Sequence, residues 1–216
     1  MNRTITIKGT GKVSVKPDLI IITMHLESHD YVYEKTMKLA AESVNVLQNA
    51  IEKAGFNKDN LKTTDFNIRT HYESYRDKDN NYKSRFDGYI CEHGLKLEFD
   101  FDTEVLSNLL TAIGKAMVEP NLNIQFSVKD KDAVNEELLI RATENAKSKA
   151  EILTKASNVT LGDLISIDYN WGDLYLYSNT SYNMEDKCLA FKASAPDIEP
   201  DDIDVSDTVT FVWEIK

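Results

Sequence analysis

The chain has 216 residues, of which 42% are hydrophobic and 28% charged, and its formal net charge is −11. This size and composition predict a soluble globular protein that is long enough to bury a core. The excess of acidic side chains disfavours nucleic acid and anionic membranes as partners, because both carry negative charge. No stretch reaches the roughly 18 apolar residues that a membrane helix needs, so no membrane insertion is predicted.

The first eight residues alternate in polarity and contain no apolar stretch of the kind found in signal peptides. As the chain stands, we therefore expect a cytoplasmic protein, and an exported or cell-envelope protein if a leader has been removed. The two cysteines, Cys91 and Cys188, are far apart in sequence and predict reduced thiols. If the protein is exported, the alternative is a single disulfide between them.

The N-terminal part predicts two strands, at residues 4–7 and 13–27, with Gly9 and Gly11 supplying a turn before the second. Pro17 removes a backbone donor, so the second strand is expected to start at a sheet edge and to be kinked there. From Ile20 onward every second residue is apolar, which indicates that one face of this strand lies over a core.

The remaining elements follow from hydrophobic periodicity and from turn and capping residues. An apolar residue at every third or fourth position predicts three helices, and period-two alternation predicts the strands between them. In chain order we predict a helix over 33–54, a strand over 65–72, a polar hairpin turn over 76–85, a strand over 88–101, a helix over 102–117 with Asp102 or Thr103 as its cap, a strand over 122–128, a helix over 132–153, a strand over 161–169, an irregular segment over 171–196, an acidic turn over 197–204 and a strand over 205–215.

These elements run strand–helix–strand twice and then helix–strand–strand. The two return strands are both entered through Asn-Leu, at 60–61 and 121–122, which suggests a weak internal duplication. The order predicts an α+β fold, with mainly antiparallel sheet and three helices. Because no linker rich in Gly, Pro or Ser interrupts the chain, residues 1–216 are predicted to form one domain, for which 1–130 and 131–216 would be the natural subdivision.

With the elements placed, the chain resembles the SIMPL-domain family, which includes bacterial periplasmic immunogenic proteins and proteins tied to oxidative-stress defence. The matching segments are 9–18, 61–68 with Tyr72, Gly88-Tyr89, 142–156 followed by 161–164, and 200–215. The resemblance implies oligomeric assembly and a role in stress tolerance, envelope biology or protein interaction. It implies no catalytic residues, because the family has none that are agreed.

One candidate for chemistry is a metal site. Cys91 and His93 are two residues apart on a predicted strand, so their side chains share a face, and both are zinc-ligand types. His25 and His71, on other predicted strands, could complete a site. The alternative is a buried cysteine beside a half-exposed histidine, and we favour it. A nucleophilic Cys91–His93 pair is disfavoured because no third group orients it. We therefore predict no catalytic residue, metal or cofactor.

The other candidate is a group of aromatic side chains in the segment predicted to be irregular. Exposed rings in a long loop favour an interface, and the alternative is a loop that buries its own rings. The members of this group are Trp171, Tyr175, Tyr177, Tyr182 and Phe191.

The sequence and the resemblance together predict a non-enzymatic protein that associates with itself, as a scaffold or interaction protein. In this hypothesis the long strands, an open sheet edge near Pro17 and at the terminal strand, and the aromatic segment provide the contacts. The same features would also allow a different protein to bind as a partner. The alternatives are a monomeric module that binds a ligand or a protein and, last, a metal-dependent enzyme.

Overall fold

The structure, a computed structural model, describes residues 3–170, 172, 174–184 and 198–216. The described residues form eight strands, three α-helices and one short 3-10 helix. In chain order these are β1 (Thr4–Val15), β2 (Leu19–Asp30), α1 (Tyr33–Lys53), the 3-10 helix (Lys58–Asn60), β3 (Lys62–Arg76), β4 (Tyr82–Asp100), α2 (Thr103–Gly114), β5 (Asn121–Ser127), α3 (Lys131–Ala156), β6 (Leu161–Tyr169), β7 (Tyr177–Met184) and β8 (Ile203–Ile215).

The strands form two sheets, in the orders β1–β8–β6 and β3–β4–β2–β5–β7. The ladders of β8 with β1 and β6, and of β4 with β2 and β3, are antiparallel. This confirms the predicted α+β fold with three helices. Backbone contacts divide the chain into two compact units: the first comprises Met1–Asp18, Ser127–Asn179 and Pro200–Lys216, and the second Leu19–Phe126 and Thr180–Glu199.

The first unit is organised by the close approach of α3 to β1. A Cβ atom placed on Gly9 or Gly11 would lie 2.0 Å from the carbonyl oxygen of Ala142 or Leu138. The facing residues of α3 are small, and Ala142 and Ala146 are fully buried against the sheet. Helix backbone therefore packs directly on strand backbone, which no side chain at either glycine would allow.

Side chains of α3 also cover the outer edge of β1. The Thr10 amide donates to Asn145 Oδ1 at 3.0 Å, and Arg141 Nη1 donates to the Lys12 carbonyl oxygen at 2.8 Å. Backbone groups that could otherwise pair with another strand are thus satisfied within the unit. The terminal strand β8 lies in the middle of its sheet. β1, which ends just before Pro17, is an edge strand of this sheet, whereas the expectation of an open edge at the terminal strand was wrong.

The N-terminal strands also differ from the prediction. β1 runs without interruption through Gly9 and Gly11, because these glycines admit the helix and make no turn. Pro17 lies after the end of β1, and the chain then enters the other sheet as β2, so residues 13–27 are not one kinked strand.

The second unit places α1 and α2 on one face of the five-stranded sheet. Ile20, Ile22, Met24 and Leu26 are buried, as the alternation along this strand predicts. They pack with Leu47 and Ile51 of α1, with Leu106, Leu109, Leu110 and Ile113 of α2, and with Leu95, Leu97, Leu122, Ile124 and Phe126 of the neighbouring strands. Asp102 caps α2 as predicted, since its side chain accepts from the Glu104 and Val105 amides.

Two further differences concern a polar strand and the end of a helix. The segment predicted to be irregular contains the strand β7, which is poor in aliphatic residues and so carries little hydrophobic periodicity. The second helix was predicted to reach residue 117, but α2 ends at Gly114 and Met117 is exposed beyond it.

Replacement of Gly11 by alanine tests the contact between α3 and β1. The added methyl group must displace the backbone of α3, and we expect a loss of about 1–3 kcal/mol in the free energy of unfolding, the usual cost of overpacking. Urea denaturation measures it. The matched control is Gly172→Ala, because no atom of the described residues lies within 4 Å of a Cβ atom there. Equal stability of the two variants would contradict the close packing.

Candidate functional site

The four candidate metal ligands are divided between the two faces of one sheet. In the ladders of β4, His25 lies opposite Gly94 and His71 opposite Gly88, whereas Cys91 and His93 occupy the odd-numbered positions between them. Successive side chains of a strand point to opposite faces of the sheet. Cys91 and His93 therefore lie on one face, and His25 and His71 lie on the other. Among the residues that the structure describes, no group of three or more His, Cys, Asp or Glu side chains could hold a metal ion.

Cys91 and His93 are not prepared for nucleophilic chemistry. Burial raises the pKa of the Cys91 thiol, to which the Glu92 carboxylate adds. Burial also lowers the pKa of His93, against the opposing charge of Asp65. Both shifts favour the uncharged forms, whereas a reactive cysteine needs a thiolate stabilised by a nearby cation. The ring nitrogen Nε2 of His93 lies 3.0 Å from the hydroxyl oxygen of Thr63.

The predicted aromatic interface lies in several places. Trp171 and Phe191 are outside the described residues. Tyr175 and Tyr177 belong to the first unit, with ring centroids 4.9 Å apart and Lys131 Nζ 5.2 Å from the Tyr177 centroid. Tyr182 is in the part of β7 that belongs to the second unit. Of these side chains Tyr175 is the most open, at 70% exposed.

A more extensive aromatic surface lies on the β3–β4 hairpin. The pairing of β2 with β4 ends at Asp30 and Tyr89, but β3 and β4 continue to pair as far as Arg76 and Tyr82. Within the described part of the chain, residues 72–86 are therefore a two-stranded ribbon without a third strand. We call this ribbon the arm. Two-stranded ribbons are only marginally stable in water by themselves.

One face of the arm carries a row of rings in edge-to-face contact. Tyr72 lies opposite Phe86 in the ladder, with ring centroids 5.8 Å apart. Phe86 contacts Tyr89 at 5.5 Å, and Tyr89 contacts Tyr33 at the start of α1 at the same distance. We call these four residues the aromatic row. Tyr72 is 56%, Tyr33 45% and Phe86 43% exposed, so both ends of the row are open to solvent.

The charges of the arm pair within the arm. Arg85 Nε donates to Glu73 Oε2 at 2.9 Å, and the guanidinium of Arg85 also lies 5.8 Å from the Tyr75 ring centroid. At the turn, Lys83 Nζ lies 2.9 Å from Asp77 Oδ2. The hydrogen bond from Lys83 is the main cause of the lowered pKa of Asp77. Cross-strand pairs of this kind hold a ribbon together but are individually weak at exposed positions.

The arm begins at a β-bulge. His71 pairs with Gly88 and Tyr72 with Phe86, so Asp87 is an extra residue on β4. Gly88 has φ +104°, and a Cβ atom there would lie 2.5 Å from the Asp30 carbonyl oxygen. Only glycine fits this conformation and this contact without strain. The bulge redirects the hairpin at the point where β2 ends.

Asp87 is held by three side chains at this bulge. The Tyr31 hydroxyl donates to Asp87 Oδ1 at 2.6 Å, and the Nε2 atoms of His29 and His71 lie 3.8 Å and 3.7 Å from Oδ2. The hydrogen bond from Tyr31 is the main cause of a lowered pKa for the Asp87 carboxyl, with smaller contributions from the charges of His29, His71 and Arg85. The same hydrogen bond raises the pKa of Tyr31.

Sequence reasoning missed the arm because polar residues separate its rings. The stretch from 76 to 85 was predicted to be a polar turn, whereas the turn itself covers only 77–81 and both strands extend to it. The available signal was the spacing of Tyr72, Tyr82 and Phe86 on two segments related by a hairpin. That spacing is meaningful only when the register of the hairpin is known.

Comparison with known proteins identifies the family of this α+β chain. The model of the SIMPL family, described as a protein of unknown function (DUF541), matches residues 5–213. The chain therefore belongs to the SIMPL family, and the resemblance inferred from its motifs is confirmed.

Two relatives share the name "26 kDa periplasmic immunogenic protein". The protein of Brucella melitensis biotype 1 is 25% identical over 166 residues, and that of Brucella abortus strain S19 is 24% identical over the same length. Each alignment covers 76% of this chain and 65% of the relative, so the chain matches less than two thirds of the relatives' length. Among the described residues, no helix is long and apolar enough to cross a membrane.

The chemistry of Cys91 gives a direct prediction. In a Cys188→Ser background, a disulfide reagent such as dithionitrobenzoate is expected to label the folded protein at pH 8 at least about a hundredfold more slowly than the urea-unfolded chain, because Cys91 is 1% exposed and its pKa is raised. Labelling is followed at 412 nm on the order of minutes to hours. Comparable rates for the folded and unfolded chains would contradict the assignment of Cys91 to the core.

Proposed function

We propose that this protein is a non-enzymatic interaction protein that associates with copies of itself through the arm. The observation that carries the proposal is the aromatic row, in which Tyr72 and Phe86 are exposed on a ribbon that extends beyond the third strand of its sheet. Aromatic rings are enriched at the centres of protein interfaces, where they supply much of the binding energy.

The gain from covering the arm is large enough to matter. Tyr72 and Phe86 are about half exposed, and Tyr82 at the tip is 74% exposed. Burial of a whole large apolar side chain contributes about 1.5–3 kcal/mol, so each of these rings could contribute roughly 1 kcal/mol or more on contact with a partner. A partner would also stabilise the ribbon, which lacks a third strand.

The charge of the arm favours a second copy as that partner. Residues 72–86 carry four basic and three acidic side chains, whereas the whole chain has a net charge of −11. Because the arm itself is nearly neutral, contact between two arms brings little repulsion between like charges. Because Glu73 and Arg85 already pair with each other, contact between two arms would bury neither of these two charges unpaired.

We extend the proposal to the periplasm, where the names of both relatives place them. Association there would suit a structural or envelope-related role. Release of the native gene product by osmotic shock with periplasmic markers is the expected result, and its retention with cytosolic markers would contradict this part of the proposal.

Light scattering after size exclusion, at two protein concentrations, tests self-association. We expect the unaltered protein to elute as a discrete multiple of 24.6 kDa. In the double variant Tyr72→Ser/Phe86→Ser the dissociation constant is expected to rise by about thirtyfold or more, because loss of a central aromatic contact costs 2 kcal/mol or more. The variant should then elute at the monomer mass with its urea midpoint largely preserved.

The control is Tyr175→Ser, which removes a more exposed ring from the first unit and should leave the oligomer intact. Dissociation of Tyr175→Ser but not of the arm variant would contradict the arm and favour the segment around Tyr175. If the unaltered protein is a monomer at both concentrations, self-association is refuted. The alternative of a monomeric binding module would then be favoured.

A further inference from the structure

The root of the arm carries two histidines that share one carboxylate. His29 is the penultimate residue of β2, His71 lies on β3, and Asp87 is the extra residue of the bulge on β4 between them. The two imidazole rings are 5.7 Å apart in an edge-to-face arrangement, and both Nε2 atoms approach Oδ2 of Asp87. His29 Nε2 also contacts the backbone carbonyl oxygen of Asp87. Three strands therefore meet in one titratable cluster, at the point where the third strand ends.

We propose that His29, His71 and Asp87 form a proton-operated clamp that fixes the root of the arm. When either imidazole is protonated, a cation on β2 or β3 holds the carboxylate on β4, so the arm is tied to the sheet. When both imidazoles are neutral, only hydrogen bonds remain and the arm opens more often. The clamp regulates the surface on which the proposed self-association rests, but it acts within one chain.

Apart from Glu27, the charged and titratable groups named here around the cluster already have partners. Arg85 is paired with Glu73, and the Tyr31 hydroxyl is committed to Asp87. The other groups near the cluster are Asp30 beside His29, whose side chain accepts from the Val32 amide, Arg69 two residues before His71, which pairs with Glu92, and Glu27 two residues before His29. A new charge on an imidazole thus has Asp87 as its nearest anionic partner.

The sign of the pH effect follows from the two kinds of group. A proton on either imidazole places a cation beside the Asp87 carboxylate, so the attraction to Asp87 is present in acid and is lost as the pH rises and both imidazoles become neutral. The pKa of Asp87 is lowered, chiefly by Tyr31, so its carboxylate remains charged well below pH 6.5. The clamp therefore acts in mild acid, and it weakens again only when the carboxylate itself is protonated. A second imidazolium is opposed by the first, so one proton is enough.

Hydrogen exchange of the arm amides, read by mass spectrometry at pH 5.5 and pH 7.5, tests the clamp. Protection factors, corrected for the intrinsic pH dependence of exchange, report the opening of residues 72–86. We expect about threefold to tenfold greater protection at pH 5.5, the size that one or two half-exposed ion pairs can supply. The double variant His29→Gln/His71→Gln and the variant Asp87→Asn should each lose this difference.

Two variants make the test specific. His25→Gln removes an exposed histidine from the same strand and the same face, and it should retain the full pH difference. Tyr31→Phe removes the hydrogen bond to Asp87 but keeps the ion pairs. Protection should therefore fall at both pH values, while the ratio of protection at pH 5.5 to that at pH 7.5 persists. Equal protection at both pH values in the unaltered protein, or a pH difference that survives in the double variant, would overturn the clamp. A failure of self-association would leave this intramolecular readout intact, so the two proposals fail separately.

Discussion

The surface on which our functional account rests depends on one backbone contact, between Gly88 of β4 and the carbonyl group of Asp30. A side chain at position 88 would meet that carbonyl, and the backbone has a positive φ angle there. Only a glycine at this position therefore lets β4 pass the end of β2 without strain. The bulge at this position brings Asp87 between His29 and His71 and sends the rest of the hairpin outward. The arm, its aromatic row and the cluster at its root are all consequences of that geometry.

The first unit uses glycine in the same physical way but for another purpose. Gly9 and Gly11 bring α3 onto β1, and polar side chains of the helix then satisfy the strand edge. The arm shows the opposite arrangement. The edge of β1 is covered by α3, whereas the rings of the arm are exposed to solvent. The contrast favours the arm as the place of association, because exposed rings on an unsupported ribbon have more to gain from a partner than a satisfied edge does.

Periodicity predicted much of the fold from sequence. The helices, the buried face of β2 and the cap of α2 follow from local patterns, and the motifs identified the family before any comparison. The pairing of β1 with β8 is a contact between the two ends of the chain, and no local pattern encodes it. The glycines of β1 were read as a turn because a close helix approach and a turn demand the same residue. The separation of Cys91 from His25 and His71 depends on strand register, and the arm was hidden because charges alternate with its rings.

The central claim is that the arm is covered when copies of the protein associate. Hydroxyl-radical footprinting of the concentrated and the dilute protein, read by mass spectrometry at single residues, tests it most directly. We expect the oxidation of Tyr72, Tyr82 and Phe86 to fall on association, while that of Tyr175 is unchanged. Equal oxidation of the three arm rings in the associated and dissociated states would contradict it.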